Sequence, residues 1–443
     1  MMFTAQDLAR LILPLVVEQL LLITVGMADT VMVSSVGEAA ISAISLVDAI
    51  NVLLINIFSA LGTGGAIVTA QYLGRDDDLN ASRAAKQLLY VVGAVSGVIM
   101  VVCLAANGPL LRVLFGNIEP EVMSGARLYF YITALSYPFI GLYNGGAAVF
   151  RAMGNSKVSM YCSVLMNLIN IGGNAILIYG LGVGVAGAAV ATLLSRTAAA
   201  LVILWLLCKG GGRVQLHQLT KPEYSPEMVR GILKVGVPNG LENGMFQIGK
   251  LLVQGLIASF GTTVIAANAM ANNVVMLPHI SGSAIGMAMV TVVGQCVGAG
   301  EFGQARRYML RLTGLVYLSM GTLEVLLGLT AGFWVGLFHL PAETTRITLE
   351  LTQSFVLFAI FFWPASFALP NGLRAAGDVR FTMAVSTLSM WIFRVGFSFF
   401  LCSPAVGMGI MGVWVAMYID WIARCAAFLW RFRSGRWRGR QVI

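Results

Sequence analysis

Charge is what this sequence lacks. Of its 443 residues, 11% are charged and 58% hydrophobic, with a mean hydropathy of +0.84. Soluble domains carry about 25% charged residues, so a water-soluble globule is excluded and a polytopic helical membrane protein remains. Histidine is nearly absent as well. His217, His279 and His339 lie far apart, and no metal-ligand spacing such as HExxH occurs, which argues against a metalloenzyme. His279, in "LPHISG", reads as a packed, hydrogen-bonded histidine rather than a proton relay. No phosphate-cradling motif is found, so ATP hydrolysis on this chain is excluded. Cys103, Cys162, Cys208, Cys296, Cys402 and Cys425 are scattered through apolar runs without paired spacing and read as packing residues. A cleavable leader is not expected either. Asp7 sits where a basic region belongs, Glu18 interrupts the apolar run, and no small-residue cleavage site follows.

What is present is apolar length. Twelve runs long enough to span a bilayer, about 20 residues each, fall at 8–33, 41–70, 87–111, 124–150, 158–180, 184–208, 228–259, 264–297, 308–337, 345–372, 380–402 and 407–432. The net charge of +9 is not a nucleic-acid footprint, because its lysines and arginines crowd alternate connections. Arg75, Arg83 and Lys86 form one group, Arg151 and Lys157 the next, and Lys209, Arg213, Lys221, Arg230 and Lys234 a third. Arg306, Arg307 and Arg311, then Arg374 and Arg380, then the tail "WRFRSGRWRGR" continue the series. By the positive-inside rule both termini are cytoplasmic and the protein is a multi-pass protein of the cell membrane. The tail is expected to rest on anionic lipid head groups.

The pattern is written twice. "LPLVVEQ" is echoed by "VPNGLEN", so that Pro14 answers Pro238 and Glu18 answers Glu242, each 224 residues on. Gly37 and Gly261, Gly62 and Gly286, Gln71 and Gln295, and Gly74 and Gly298 keep the same displacement. "FRAMGNSK" answers "LRAAGDVR" at 223, and "GVGVAG" answers "GMGIMG" at 225. The fold expected is all-α, with twelve transmembrane helices in two pseudo-symmetric six-helix bundles: residues 1–208, a cytoplasmic linker 209–227, and 228–443 with its basic tail. Parallel repeats of this kind commonly transport by rocking one bundle against the other. Pro14 and Pro238 are the expected hinges, since each frees the carbonyl four residues earlier, at Arg10 and Lys234.

Intramembrane charges are the functional candidates, because each costs about 2.5–3.5 kcal/mol at mid-bilayer. Glu18 and Asp29 are eleven residues apart, three turns plus roughly 20°, so the first helix has an acidic side. Asp420 and Arg424, four apart, read as a structural pair, and Asp48 with Asn51 as a patch gluing helices. Glu324 has no local partner. Asn167, Asn170 and Asn174 form one stripe on the fifth helix, read as lining a cavity. Lys250 is about 80° round its helix from Glu242, so it is free to meet an acid of another helix or an anionic substrate. Glu18, Glu242, Gln247 and Lys250 are the substrate or cavity candidates, and symmetry suggests that Glu18 and Glu242 share one central cavity, the alternative being that each hydrogen-bonds within its own bundle near the cytoplasmic interface.

A proline fifteen residues before the aspartate of "MADTVMVSSVG" resembles the first helix of multidrug and toxic compound extrusion (MATE) transporters. So do "QYLGRDDDLNASRAA", the paired "RAMGNSK" and "RAAGDVR", and "GLGVGVAGAAVAT", and the resemblance covers essentially the whole chain. The major facilitator class shares the 6+6 plan, but its basic loop motif is absent. The resemblance implies cation-coupled antiport of organic cations or drugs, with no enzyme activity and no cofactor beyond the coupling Na⁺ or H⁺. It carries the coupling role to Asp29, Asn144, Asn170, Asn174 and Thr192, with Asp29 as the ligand if the ion is Na⁺. Many members have an aspartate where Asn174 stands, which leaves one carboxylate here and both ions open. Other members use a seventh-helix glutamate with a tenth-helix aspartate. Glu242 lies a turn early for that role, and "FFWPASFALPNG" has no acid. Partners expected are membrane lipids and hydrophobic cationic small molecules, with no nucleic acid and a monomeric state. The rival reading is a flippase for lipid-linked or other anionic molecules, supported by Lys250 and Arg196 should they line the cavity.

Overall fold

The computed structural model of the chain describes residues 2–116, 118–216 and 223–443, the side chains of 27 and 30 excepted. His217 and the middle of the expected linker, 217–222, lie outside the described residues. No strand occurs among the described residues. The first half runs α1 (Ala5–Ser34), α2 (Glu38–Gly74), α3 (Asp78–Ala105), α4 (Asn107–Phe115), α5 (Pro120–Ala134), α6 (Tyr137–Ala152), α7 (Ser156–Asn174) and α8 (Val185–Lys209). The second runs α9 (Pro226–Ala258), α10 (Thr262–Gly298), α11 (Phe302–Gly336), α12 (Ala342–Trp363), α13 (Leu369–Ala375), α14 (Val379–Ser389), α15 (Phe397–Leu401) and α16 (Gly409–Arg433). Wider π-helical turns, Ala175–Gly180, Pro364–Ala368 and Met390–Gly396, extend α7, α12 and α14.

Local chemistry sets several boundaries. Thr4 and Asp7 close a capping box at the start of α1, each satisfying a backbone N–H of the other. Gly37 and Gly261 precede α2 and α10 with φ of 130° and 93°, a region in which a side chain is strained. The repeat keeps glycine there for that reason. The two helices that follow are each 37 residues long and 224 apart in sequence.

Ten helical segments among the described residues are long and apolar enough to cross a membrane. The other two expected spans differ from a plain helix. Run 124–150 is split at Leu135–Ser136 into α5 and α6, of 15 and 16 residues, next to Pro138, whose ring nitrogen has no hydrogen to donate. Run 228–259 is one helix, α9, whose apolar pattern Lys234, Glu242 and Lys250 interrupt. Large apolar side chains face outward: Leu168, Leu251, Leu318 and Leu329 expose 64–80% of their surface. Apolar surface of this kind fits a lipid environment.

By contact the chain divides into two compact units, 3–240 with Ile443, and 241–442 with Met2. In the first, α1 packs on α7, α2 on α3 and α6, and α8 on α5, α6 and α7. In the second, α10, α11 and α12 pack on one another and α16 on α12 and α15. The tail is partly protein-bound rather than lipid-bound. Trp437 is fully buried, donates to the Phe432 carbonyl at 3.1 Å, and stacks on its ring. Arg431 clasps the buried Asp378 at 2.6 and 3.0 Å. Arg433, Arg436 and Arg438 remain exposed.

Candidate functional site

In the first unit, α7 carries its asparagine stripe inward because four- and three-residue spacings return side chains to one face. Asn174 Nδ2 donates to Asp29 Oδ1 of α1 at 2.8 Å. Asn170 satisfies its surroundings when its amide nitrogen faces the carboxylate, donating to Asp29 Oδ1 at 2.8 Å and Oδ2 at 3.1 Å. The Thr192 hydroxyl of α8, anchored 2.9 Å from the Ala188 carbonyl, lies 3.3 Å from the Asn170 amide. Two amide donors thus hold one carboxylate. Asn174 Oδ1 is buried and has no hydrogen-bond donor, so the cluster has an oxygen to spare for a cation.

Asp48 enters the same place. A cavity of about 130 Å³ is lined by Asp29, Asp48, Ser45, Tyr129, Asn174 and Thr192, with apolar residues between. Asp48 accepts from Asn51 at 3.1 Å and from the Tyr129 hydroxyl at 3.2 Å, and Asn51 in turn accepts from Tyr137 at 2.8 Å. Read from sequence as helix glue, Asp48 is also the second acid of the cavity. The signal available was the missing acid at 174, which left a place for another. Arg196 of α8 donates to Ser136 at 2.8 Å and is close enough to act on both carboxylates. Two carboxylates against one arginine leave one negative charge, and oxygen-only ligands suit Na⁺ as well as a proton. Asn144 is not among the lining residues. Its backbone meets α2 at Gly62, and its Nδ2 is buried without a partner. Asn167 Nδ2 is likewise buried and unpartnered.

Glu18 and Glu242 are not free charges. Glu18 accepts from Ser159 at 2.9 Å and lies 3.6 Å from Arg151, whose guanidinium also donates to Ser159 at 3.1 Å. Glu242 accepts from Arg374 at 2.5 Å. Arg151 and Arg374 are the arginines of the paired "RAMG" and "RAAG" motifs, so the repeat encodes one ion pair twice. This corrects the expectation of a shared central cavity and agrees with the alternative, since each glutamate has its charge matched inside its own unit.

Remaining candidates fall into place around this. Asp420 and Arg424 pair at 2.8 Å as their spacing predicts, and Ser389 donates to Asp420. Glu324 is fully buried with neither oxygen partnered. His279 packs between the rings of Phe355 and Trp363 at 5.4 and 4.9 Å, and its Nε2 lacks the hydrogen bond expected of it. In the second unit a cavity of about 200 Å³ is walled by Glu242, Phe246, Phe367, Arg374, Met390 and Arg424, among others. Lys250 stands one turn beyond Phe246, with its ammonium 5.9 Å from that ring. Gln247 is half-buried and outside the cavity wall. Pro14 and Pro238 both sit within unbroken helices. Ser156 donates to the Leu11 carbonyl at 2.6 Å, and the Arg10 carbonyl that Pro14 frees is 3.4 Å away.

Known proteins share this organisation. The MatE family model matches residues 14–176 and again 238–400, both matches opening on the repeated proline. The probable multidrug resistance protein NorM of Thermotoga maritima is 25% identical, over 99% of this chain and 94% of its own. The uncharacterized transporter YisQ of Bacillus subtilis is 26% identical, over 96% and 93%. A crystal structure of MATE in the bent conformation superposes with a TM-score of 0.90 at 23% identity, covering 98% of this chain and 96% of that one. Family members are secondary transporters rather than enzymes. With both halves matched by one family model and the whole chain by the fold, this membrane protein belongs to the MatE family of transporters.

Proposed function

We propose that the chain is a twelve-helix antiporter of the cell membrane, both termini cytoplasmic, that exports drugs in exchange for entering Na⁺ or H⁺. Its two repeats would act as six-helix bundles that rock in a monomer, with 209–227 as the cytoplasmic joint. One observation carries the coupling role: a buried carboxylate, Asp29, held by two amides beside a second carboxylate, with an unpaired oxygen at Asn174. An intramembrane acid facing a cavity marks an ion pathway by default. Exchange follows from charge. Binding of one Na⁺ or proton neutralises the surplus negative charge, and any cationic cargo retained by that charge is then released. Hydrophobic organic cations are the cargo that the family resemblance implies, and Asp29 with Asp48 would supply their counter-charge.

The test is flux into inverted vesicles under imposed Na⁺ or H⁺ gradients. Asp29→Asn is expected to abolish gradient-driven efflux with expression intact, and Asp48→Asn to lower it at least tenfold. Normal efflux by Asp29→Asn would overturn the assignment, and normal efflux by Asp48→Asn would return Asp48 to a packing role. The flippase reading keeps one support, the positive charge of the second unit. Arg196 no longer adds to it, being tied to Ser136 beside two acids.

A further inference from the structure

The second unit holds more positive charge than it uses. Arg374 and Arg424 line the cavity walled by Phe246 and Phe367, and two more cations, Lys250 and Arg394, lie beside it against the Phe246 ring. Two of them are matched, Arg374 by Glu242 and Arg424 by Asp420. Among the described residues, Lys250 and Arg394 have no carboxylate within 4.0 Å. Both are instead turned onto one aromatic ring. The Lys250 ammonium lies 5.9 Å and the Arg394 guanidinium 5.5 Å from the centroid of Phe246, with Arg424 at 5.8 Å. The Arg394 guanidinium also meets the Met417 sulfur of α16 at 3.2 Å and feels the charge of Asp420, which it shares with Arg424. Contacts to α9 and α16 direct Arg394 toward protein rather than lipid.

Arg394 is half-buried and Lys250 is exposed on α9. Each lies about two turns from the end of its helical segment, Val379–Leu401 and α9. A cation in a membrane helix with no carboxylate bonded to it is costly, and such residues mark substrate paths. Ring faces recover part of that cost and leave the rest for a ligand. The buried Arg374 Nε, on the cavity wall, also lacks an acceptor. The cavity itself, at about 200 Å³, takes one ring system or the end of a chain rather than a whole drug of ordinary size.

We propose that this cavity binds an amphipathic anion, its carboxylate, sulfonate or phosphate head held by Lys250 and Arg394 and its apolar end against Phe246 and Phe367. The site lies wholly in the second unit and does not depend on the coupling reading of Asp29. Two sources share this chemistry, a soluble organic anion and the head group of an anionic lipid.

The experiment uses the full chain in nanodiscs of phosphatidylcholine, with no ion gradient, so that failure of coupling leaves it unaffected. Three fluorescent probes with one ring system are titrated: dansylglycine (anionic), dansylamide (neutral) and an aminoethyl dansylamide (cationic). Dansylglycine is expected to bind at least tenfold more tightly than either of the others. Lys250→Gln and Arg394→Gln are each expected to weaken it about tenfold and to leave dansylamide unchanged within twofold. Lys250→Arg and Arg394→Lys, which keep the charge, are expected to retain it. Equal affinity of the wild-type protein for the three probes overturns the proposal without any variant. So does unchanged dansylglycine binding by a Gln variant that melts at the wild-type temperature. Nanodiscs containing phosphatidylglycerol separate the sources: competition with dansylglycine assigns the site to a lipid head group, and its absence to a soluble anion.

Discussion

A carboxylate in a membrane helix is tolerated when a cation is built to meet it, and Glu18 shows how that is arranged at the scale of single residues. Arg151 and Ser159 face it together, and Ser159 bridges the two charges. Removing one member of a buried pair strands the other, which costs more than the intact pair contributes. Arg151→Ala is therefore expected to destabilise the protein by about 2–3 kcal/mol. Adding Glu18→Gln should recover most of that loss, because the stranded charge is then gone. Thermal unfolding in detergent checks both. A double variant no more stable than Arg151→Ala would mean that the arginine acts through packing instead. This pairing was only half legible in the sequence. Both motifs were visible as repeats, but nothing in one sequence says that residues so far apart along the chain touch. Asp48 escaped for the same reason: the face it presents is set by how α2 packs, and its nearest sequence neighbour, Asn51, suggested a smaller task.

Secondary elements were read more fully than their interruptions. Hydropathy locates a run without fixing its ends, so 41–70 and 264–297 placed α2 and α10, and their common length of 37 residues came only with the structure. Hydropathy is also blind to a change of helical period, and the three π-helical turns left no trace in composition. The break between α5 and α6 had one local signal, Pro138, inside an otherwise continuous apolar run. Pro14 is the opposite case, a proline inside a helix that stays whole. Its missing N–H leaves the Arg10 carbonyl without its helical donor, and the Ser156 hydroxyl is close by, bonded to the next carbonyl. That weak point suits a bend made during transport. Pro14→Ala restores the helical bond and is expected to lower turnover severalfold while substrate affinity changes less than twofold. Binding titration and vesicle flux on the same preparation separate the two. Lost affinity with unchanged turnover of bound substrate would remove the hinge from α1.

For the whole molecule, the question that connects fold to function is how many times the chain crosses the bilayer. Among the described residues ten segments qualify by length and apolarity, while twelve are needed for the repeat to place both halves in the same orientation. The two in dispute are the broken pair α5 and α6, and the charged helix α9. Native cysteines can count them. Cys208 is exposed at the end of α8, next to Lys209, and Cys402 is partly exposed in a connection free of lysine and arginine. Cys103, Cys162, Cys296 and Cys425 are buried. If α9 crosses, five spans separate Cys208 from Cys402 and the two thiols lie on opposite faces. If it does not, four spans separate them and they share a face. An N-terminal epitope tag tests the other pair: it lies on the side of Cys208 only if α5 and α6 together cross once. A membrane-impermeant maleimide is expected to label Cys208, and an antibody to reach the tag, only in inverted vesicles. Cys402 should react only in right-side-out spheroplasts, and Cys208→Ala and Cys402→Ala assign the signals. Labelling of both thiols from one side would remove α9 from the membrane and, with it, the parallel repeat on which the rocking mechanism depends.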